Sequence, residues 1–330
     1  MKKIAVIGVG GRTGTMFFSE LRKSADVLGV AREKEVRLVE EKNLYIERNK
    51  ESPELLKGRI IKDTEFQEKL KPDIIFLTTK NPVSTPIKYY FQRCKEKIPA
   101  LVLSQNGIDA LLAAKESLEQ VLGQESEKVR LVRMVLFNPI DKRESEDKIY
   151  IKYSLPIKIA LAKASDKGEI KDIVDILKRA GFEIKEFHSR DARNLEFSKL
   201  FLNLIGMAAA SRGLPVRKGF ENKEIFKEEI RALKEYIKTV KLSRGRFLNF
   251  PHYPVGFLAD LFGFLPVSFL LPFRNILAGI ISKGREGKPK DLNEIDYYNG
   301  AVVNLGKKIG VKTPINEKVR RRALERLNRT

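Results

Sequence analysis

Cysteine, histidine and tryptophan are nearly missing from this chain: its 330 residues hold one Cys, two His and no Trp. A lone Cys94 excludes an internal disulfide and fits a reducing, cytoplasmic compartment. With His188 and His252 it leaves too few ligands for a zinc site, so no metal is expected. A Ser-His-Asp nucleophile system would have to use one of those histidines, and neither stands in a suggestive context. Long hydrophobic runs are also scarce. Leu261–Phe273 is uncharged, but it contains two prolines and is too short to span a bilayer. It reads as packed helix and loop, or as an oligomer contact. Met1-Lys2-Lys3 before an apolar run resembles the start of a signal peptide. That run is short, broken by glycines and stopped by Arg12, which argues against export.

What is abundant is charge. Lys and Arg number 64 against 43 acids, a formal net charge of +21. The basic residues are spread along the chain, and no basic block exceeds Arg320-Arg321-Arg322. A solvated surface is favoured over a nucleic-acid face, and abundant Lys and Glu without Trp is also a composition that heat-adapted proteins show. A hydrophobic share of 42% indicates a globular protein. The length favours two domains over one core.

The opening stretch organises the rest. Lys3–Ile7 is an apolar strand that runs into Gly8-Val9-Gly10-Gly11-Arg12-Thr13-Gly14, and an amphipathic helix with Phe17, Phe18 and Leu21 follows. Strand, glycine turn and helix in that order suit a dinucleotide pyrophosphate. The glycines let the backbone approach the phosphates, and the new helix aims its unpaired N–H groups at them. Gly8 and Gly10 fit the first two glycines of that pattern. Thr13 takes the third place, with Gly14 next, which loosens the close helix–strand packing and leaves the phosphate site.

Ala25–Ala31 reads as a second strand ending at Arg32, with Lys34 nearby. A cation at that place accommodates the 2′-phosphate of NADP, whereas a carboxylate would bind the hydroxyl of NAD. Arg32 is otherwise an exposed residue at a helix start. Glu33–Lys71 reads as charged and irregular, with a short strand at Arg59–Ile61. Asp73–Leu77 is a buried strand closed by Thr78-Thr79-Lys80 at the sheet edge where ligands gather. A helix near Pro86–Lys95 leads to the strand Ala100–Leu103 and to Ser104-Gln105-Asn106-Gly107, where Asn106 is a ligand hook or a turn former. A helix at Ala110–Leu122 and a strand at Arg130–Phe137 follow. Ile149–Tyr153, Ile157–Ala162 and Phe182–Phe187 read as further strands and Lys171–Arg179 as a helix. Beyond Asp191 the pattern is helical, over Asn194–Ala210, Lys223–Val240, Ile276–Lys283, Glu294–Ile309 and Asn316–Leu327. The expected fold is an α/β Rossmann-like dinucleotide-binding domain over residues 1–190 and an all-α domain over 191–330.

Two sets of polar residues stand out in the helical half. Lys199 and Asn203 are i and i+4 on an otherwise apolar helix. Such a lysine snorkels, finds a partner or lines a cleft. Beside a nucleotide it could serve as a general acid, which a ketone reductase needs to protonate the developing alkoxide. The second set is the basic turn Ser282–Pro289, which delivers Asn293-Glu294-Ile295-Asp296 to a helix start, where acids also simply favour the helix dipole.

Together these segments resemble the ketopantoate reductase (2-dehydropantoate 2-reductase) family. The resemblance rests on the glycine turn, Arg32, Lys80, Gln105-Asn106-Gly107, Lys199, Asn203 and Ser282. Its most specific part is Asn293–Gly300 followed by Gly310-Val311-Lys312-Thr313-Pro314-Ile315-Asn316. It implies a cleft between two domains, with NADPH phosphates at Gly8, Val9, Gly10, Gly11, Arg12 and Thr13 and the 2′-phosphate at Arg32. Lys80 and Asn106 would join the cofactor site. Lys199 would donate the proton, with Glu294 in the active-site network, and Asn106, Asn203 and Ser282 would orient the 2-oxo acid. The implied reaction is reduction of ketopantoate to pantoate, in pantothenate and coenzyme A synthesis. The departures touch the substrate: Met207 and Gly279 stand where relatives often carry Asn, and Lys283 where a Met usually follows the serine. The Pro- and Phe-rich stretch Phe250–Phe273 has no counterpart. Another 2-oxo acid or an imine is therefore the alternative substrate, and a non-catalytic NADP-binding regulator the alternative class. A small-molecule substrate is the expected partner, with no nucleic acid or membrane, and a homodimer is plausible.

Overall fold

The computed structural model describes residues 1–49, 51–282 and 287–329. Lys283 and most of the basic turn after Ser282 lie outside the described residues. The chain divides into two compact units, Met1–Leu195 and Glu196–Thr330.

In the first unit, strands β1 (Lys3–Ile7), β2 (Asp26–Ala31), β3 (Asn43–Arg48), β4 (Glu54–Leu55), β5 (Ile60–Lys62), β6 (Ile74–Leu77), β7 (Ala100–Leu103), β8 (Leu131–Leu136), β9 (Ile140–Glu144), β10 (Lys148–Tyr153), β11 (Ile157–Lys163) and β12 (Phe182–Phe187) form two sheets. Helices α1 (Arg12–Leu21), α2 (Glu33–Glu41), α3 (Ser84–Phe91), α4 (Ala110–Leu122) and α5 (Lys171–Arg179) connect them. The main sheet runs β5-β2-β1-β6-β7-β8-β11-β12. From β5 to β8 all pairings are parallel; β11 is antiparallel to β8, and β12 is parallel to β11. That is the doubly wound nucleotide-binding order with two strands added at one edge. β1, β6 and β7 sit at its centre. Ile4–Ile7, Ile74–Leu77 and Ala100–Leu103 are buried throughout, which explains their continuous apolar runs. Phe17 of α1 stacks on Phe182 and lies against Phe76, pinning the first helix to the sheet.

The stretch expected to be irregular is ordered. Glu33–Glu41 is a helix, and β3, paired with β4 on one side and β10 on the other, belongs to a second, four-stranded sheet, β4-β3-β10-β9. Ile149–Tyr153 therefore belongs to this sheet and not to the main one. The charged alternation of β3 and β10 hid it, because one face carries Glu47 and Lys152 as an ion pair.

Helix α6 (Ala192–Leu204) runs from the end of the first unit into the second, which starts at Glu196. The second unit continues with α7 (Met207–Ala210), α8 (Val216–Glu221), α9 (Lys223–Leu242), α10 (Val255–Phe264), α11 (Val267–Leu270), α12 (Arg274–Ser282), α13 (Asn299–Lys308) and α14 (Pro314–Leu327). The run read as one helix over Asn194–Ala210 is broken at Gly206, which has φ +92°. The 20-residue α9 is the spine of this unit. Asn222 caps it, accepting from the Glu224 and Ile225 N–H groups. Ile230, Leu233, Tyr236, Ile237 and Val240 line its buried face. The Tyr236 hydroxyl donates to the Phe197 carbonyl at 2.7 Å, fixing α6 on α9. The expected helix at Glu294–Ile309 begins later: Ile295–Tyr297 is a 3₁₀ turn and α13 starts at Asn299. The acids of that motif therefore precede the helix and do not fill its first turn.

Among the described residues no single helix is long and apolar enough to cross a membrane; α10 and the run from Val267 to Ser282 pass the test only together, bent by 120°.

Candidate dinucleotide site and the polar stripe of the helical unit

In the first unit the strand order reverses between β1 and β6, and the crevice at their carboxyl ends is where such sheets take ligands. The glycine turn stands there. Gly8 and Gly10 adopt φ of +102° and +93°, which L side chains rarely reach. The Gly8 and Val9 N–H groups donate to the Val30 carbonyl at 2.8 and 3.1 Å, tying the turn to the end of β2. The Gly10 N–H donates to the Thr15 hydroxyl at 3.1 Å. Helix α1 starts at Arg12, so the N–H groups of its first turn have no intrahelical carbonyl and face the crevice side of the turn. The close-packing position is Gly14, not Thr13. A Cβ on Gly14 would lie 2.5 Å from the Gly8 carbonyl carbon, so helix and turn touch through it. The expectation that Thr13 loosens this packing is corrected, because the tight contact falls one residue later than the pattern's spacing.

The second wall comes from β6 and β7. The Thr78 hydroxyl donates to the Ile7 carbonyl at 2.6 Å, joining the ends of β6 and β1. Gln105 donates from Nε2 to the carbonyls of Leu77 at 2.9 Å and Thr79 at 3.1 Å. Its Oε1 and the Thr79 hydroxyl are buried without a hydrogen-bond partner. Orphaned polar atoms at the mouth of such a crevice are groups that a bound ligand would satisfy. Asn106 is half-buried, and its carbonyl accepts from Asn81 Nδ2 at 2.7 Å. Lys80 is exposed beside it. Arg133, fully buried, props this loop from below, donating to the carbonyls of Leu103 (3.1 Å), Met134 (2.6 Å) and Gln105 (2.6 Å). Sequence reading missed it because it stands in the middle of an apolar strand.

Arg32 stands at the N-cap position of α2, without a side-chain capping bond, and is exposed, yet it is not a naked cation. Its guanidinium grips Glu35 through Nε at 3.0 Å and through a second, shorter bond from Nη2, and this pairing raises its pKa further. Positive-φ cradle, helix start and orphaned polar atoms together fit the pyrophosphate and nicotinamide portions of a dinucleotide. Among the described residues no cluster of His, Cys, Asp or Glu could hold a metal ion.

In the second unit, Lys199 and Asn203 do share one face of α6. Both are half-buried, while Phe197, Ser198, Leu200, Phe201 and Leu204 are buried on the opposite side. Glu294 is half-buried, and its Oε2 accepts from the Tyr298 hydroxyl at 2.9 Å. Lys290, just before Glu294, donates to the carbonyls of Asn203 at 2.7 Å and Ile205 at 2.9 Å, so this segment and the end of α6 are bound together. Two asparagines of the closing motif, Asn299 and Asn316, tie the helices of this unit together. Asn299 donates to Asn316 Oδ1 at 2.9 Å, and Asn316 donates to the Ala232 carbonyl and to Glu235, both asparagines being fully buried. Ser282 ends α12, which packs on α8, and its hydroxyl donates to the Gly279 carbonyl at 3.5 Å. Met207 is buried in the core at the start of α7, past the helix break, and Gly279 is exposed.

Comparison with known proteins adds to this geometry. Residues 4–132 match the family model of ketopantoate reductase PanE/ApbA. Over nearly the whole chain the fold is that of a PanE/ApbA family ketopantoate reductase from Ralstonia eutropha JMP134, at TM-score 0.72 and 16% identity, covering 99% of this chain and 98% of that one. D-mandelate dehydrogenase, solved with NADH and anilino(oxo)acetate, superposes at TM-score 0.69 and 20% identity, covering 98% and 97%. A dimeric ketopantoate reductase from Staphylococcus aureus does so at 0.62 and 14%, covering 98% of each. No curated protein sequence matches the chain. Residues 4–132 thus match the ketopantoate reductase PanE/ApbA family model, and the chain as a whole has the fold shared by the solved ketopantoate reductases and D-mandelate dehydrogenase.

Proposed function

We propose that this protein is an NADPH-dependent reductase of 2-oxo acids, and that ketopantoate, reduced to pantoate for pantothenate and coenzyme A synthesis, is its substrate. The observation that carries the reading is the cradle from Gly8 to Gly14 at the crevice, beside the partnerless Thr79 hydroxyl and Gln105 Oε1. A reduced nicotinamide held there supplies the hydride. The chain's own residues then have three tasks. The N–H groups of the first turn of α1 hold the pyrophosphate, with Arg32 and Lys80 toward the adenosine end and Asn106 at the crevice. Lys199 polarises the substrate carbonyl and donates the proton as the alkoxide develops. Asn203 orients the acid, and Glu294, steadied by Tyr298, accepts from the substrate hydroxyl. Ser282, whose hydroxyl now donates to the Gly279 carbonyl, joins Asn203 in orienting the acid.

A second substrate reading has its own support. Met207 is buried and cannot stand in for a substrate-facing asparagine, which favours an acid smaller or less polar than ketopantoate. The exposed Phe264, Phe269, Ile276 and Ile280 suit burial against a second copy of the chain, and the Staphylococcus aureus reductase is dimeric.

The test is NADPH oxidation with ketopantoate, pyruvate and 2-oxoisovalerate, with NADH as control. Turnover with NADPH and ketopantoate, lost in Lys199→Ala by about a hundredfold or more, supports the reading. Turnover with another acid reassigns the substrate. Tight NADPH binding without turnover points to a regulator instead.

A further inference from the structure

We propose that Lys142 binds the 2′-phosphate of the cofactor, as a cation that the second sheet brings to the glycine turn. The inference rests on the reading of the first unit as an NADPH site.

Lys142 lies on β9, opposite Ile151 of β10, in the small sheet that packs on α1. Its Nζ donates to the Gly10 carbonyl at 3.3 Å. Among the described residues no carboxylate pairs with it, which it shares with the exposed Lys34 and which sets both apart from the other cations around them. Arg32 is bound to Glu35, Arg37 and Lys62 share Glu33, and Lys42 holds Glu144. Gly10 is also where α2 comes closest to the turn, since a Cβ on it would fall 2.8 Å from the Glu35 Cβ. Glu144, two residues after Lys142, pairs with Lys42 at the far end of α2, so β9 runs along that helix, and the approach of Glu35 to Gly10 marks the helix's start. That is the end of β2, where the adenosine ribose belongs in this fold.

The charges then decide the matter. A 2′-phosphate brings nearly two negative charges. Arg32 already bonded to Glu35 presents a pair with no net charge, so Arg32 alone is a poor anchor for it. Lys142 supplies the uncompensated cation, and its present bond, to a neutral carbonyl, is readily exchanged for a charge-assisted one to phosphate. NADH ends in a hydroxyl at the same place and has no need of that cation, because Glu35 can accept from it.

The experiment titrates the full-length protein, Lys142→Gln and Lys142→Arg with NADPH, NADH, adenosine 2′,5′-bisphosphate and 5′-AMP by calorimetry, with thermal unfolding to show that each variant is folded. Lys142→Gln is expected to weaken NADPH and the bisphosphate about tenfold, to leave NADH and 5′-AMP within about twofold and to flatten the salt dependence of NADPH binding. Lys142→Arg is expected to keep the NADPH affinity. Equal weakening of NADPH and NADH, or no change in either, overturns the assignment and leaves Lys142 as a prop of the Gly10 carbonyl. Failure of the underlying reading looks different: the unaltered protein would then bind neither dinucleotide, or would prefer NADH.

Discussion

Lys290 and Glu229 hold the two sides of one helix break. Lys290 Nζ donates to the carbonyls of Asn203 and Ile205 at the end of α6, and Glu229 accepts from the N–H groups of Gly206 at 2.6 Å and Ala208 at 3.0 Å at the start of α7. A cation meets the carbonyl end and a carboxylate the N–H end, each in the sense the helix dipole favours. The break ends the helix that presents Lys199 and Asn203. Replacing Lys290 by Met is expected to cost about 1–3 kcal/mol of stability. It should also lower kcat for 2-oxo acid reduction more than it changes NADPH affinity, and Lys290→Arg should restore part of kcat. Steady-state kinetics beside nucleotide titration decides it, and parallel loss of kcat and NADPH binding would refute a role in positioning α6.

Gly14, not Thr13, carries the helix–turn contact, and the two positions should respond in opposite ways. Gly14→Ala forces a methyl onto the Gly8 carbonyl and is expected to cost about 1–3 kcal/mol and to weaken dinucleotide binding. Thr13→Gly, which would restore the familiar spacing, is expected to gain no affinity. Denaturant unfolding and NADPH titration of both variants provide the check.

Arg133 sits under the loop of Gln105 and Asn106 with three backbone carbonyls on its guanidinium. Arg133→Met leaves those carbonyls without that donor in a dry core. The expected loss is about 2–4 kcal/mol, with weaker NADPH binding as the loop drifts. A variant of unchanged stability would show that the neighbouring carbonyls find other donors.

The parts of the fold visible in the sequence are those with one-sided chemistry. β1, β6 and β7 announced themselves because a central parallel strand is apolar on both faces, and α5 did so because its stripe has a clean helical period. The second sheet stayed hidden. β3 and β9 carry charges at successive positions, which leaves no one-sided pattern, and the β3–β10 pairing that joins the sheet links residues about a hundred apart, as Lys152 and Glu47 show. Lys142 was invisible for that reason, since it reaches Gly10 only through that pairing. The break at Gly206 was equally hard to read, because what stabilises it comes from Glu229 and Lys290 far along the chain. Glu35 alters the meaning of Arg32 in a way that counting cations after β2 does not reveal.

Neighbouring acids on α9 should give the protein opposite pH responses. Burial alone would raise Glu228, but the hydrogen bonds and charges of Arg322 and Arg212 outweigh it and hold its carboxyl at about 2, below the ordinary 4.5. A depressed folded pKa gives stability that is present above about 4.5 and is lost as pH falls toward 2. Glu229 goes the other way. It is fully buried, and burial pushes it up to about 7 in spite of the Gly206 and Ala208 N–H groups and the charge of Lys290. A raised folded pKa gives stability that is full below about 4.5 and is lost as pH rises through 7, by about 3 kcal/mol at most. Urea unfolding across this range should therefore show Glu229→Gln with a flatter decline between pH 4.5 and 7 than the unaltered protein, and Glu228→Gln with a flatter rise between pH 2 and 4.5. The lost acceptor in Glu229→Gln lowers stability at every pH alike, so the slope and not the level carries the answer. An unchanged slope would mean that the carboxyl titrates near its ordinary value, with water reaching the break between α6 and α7.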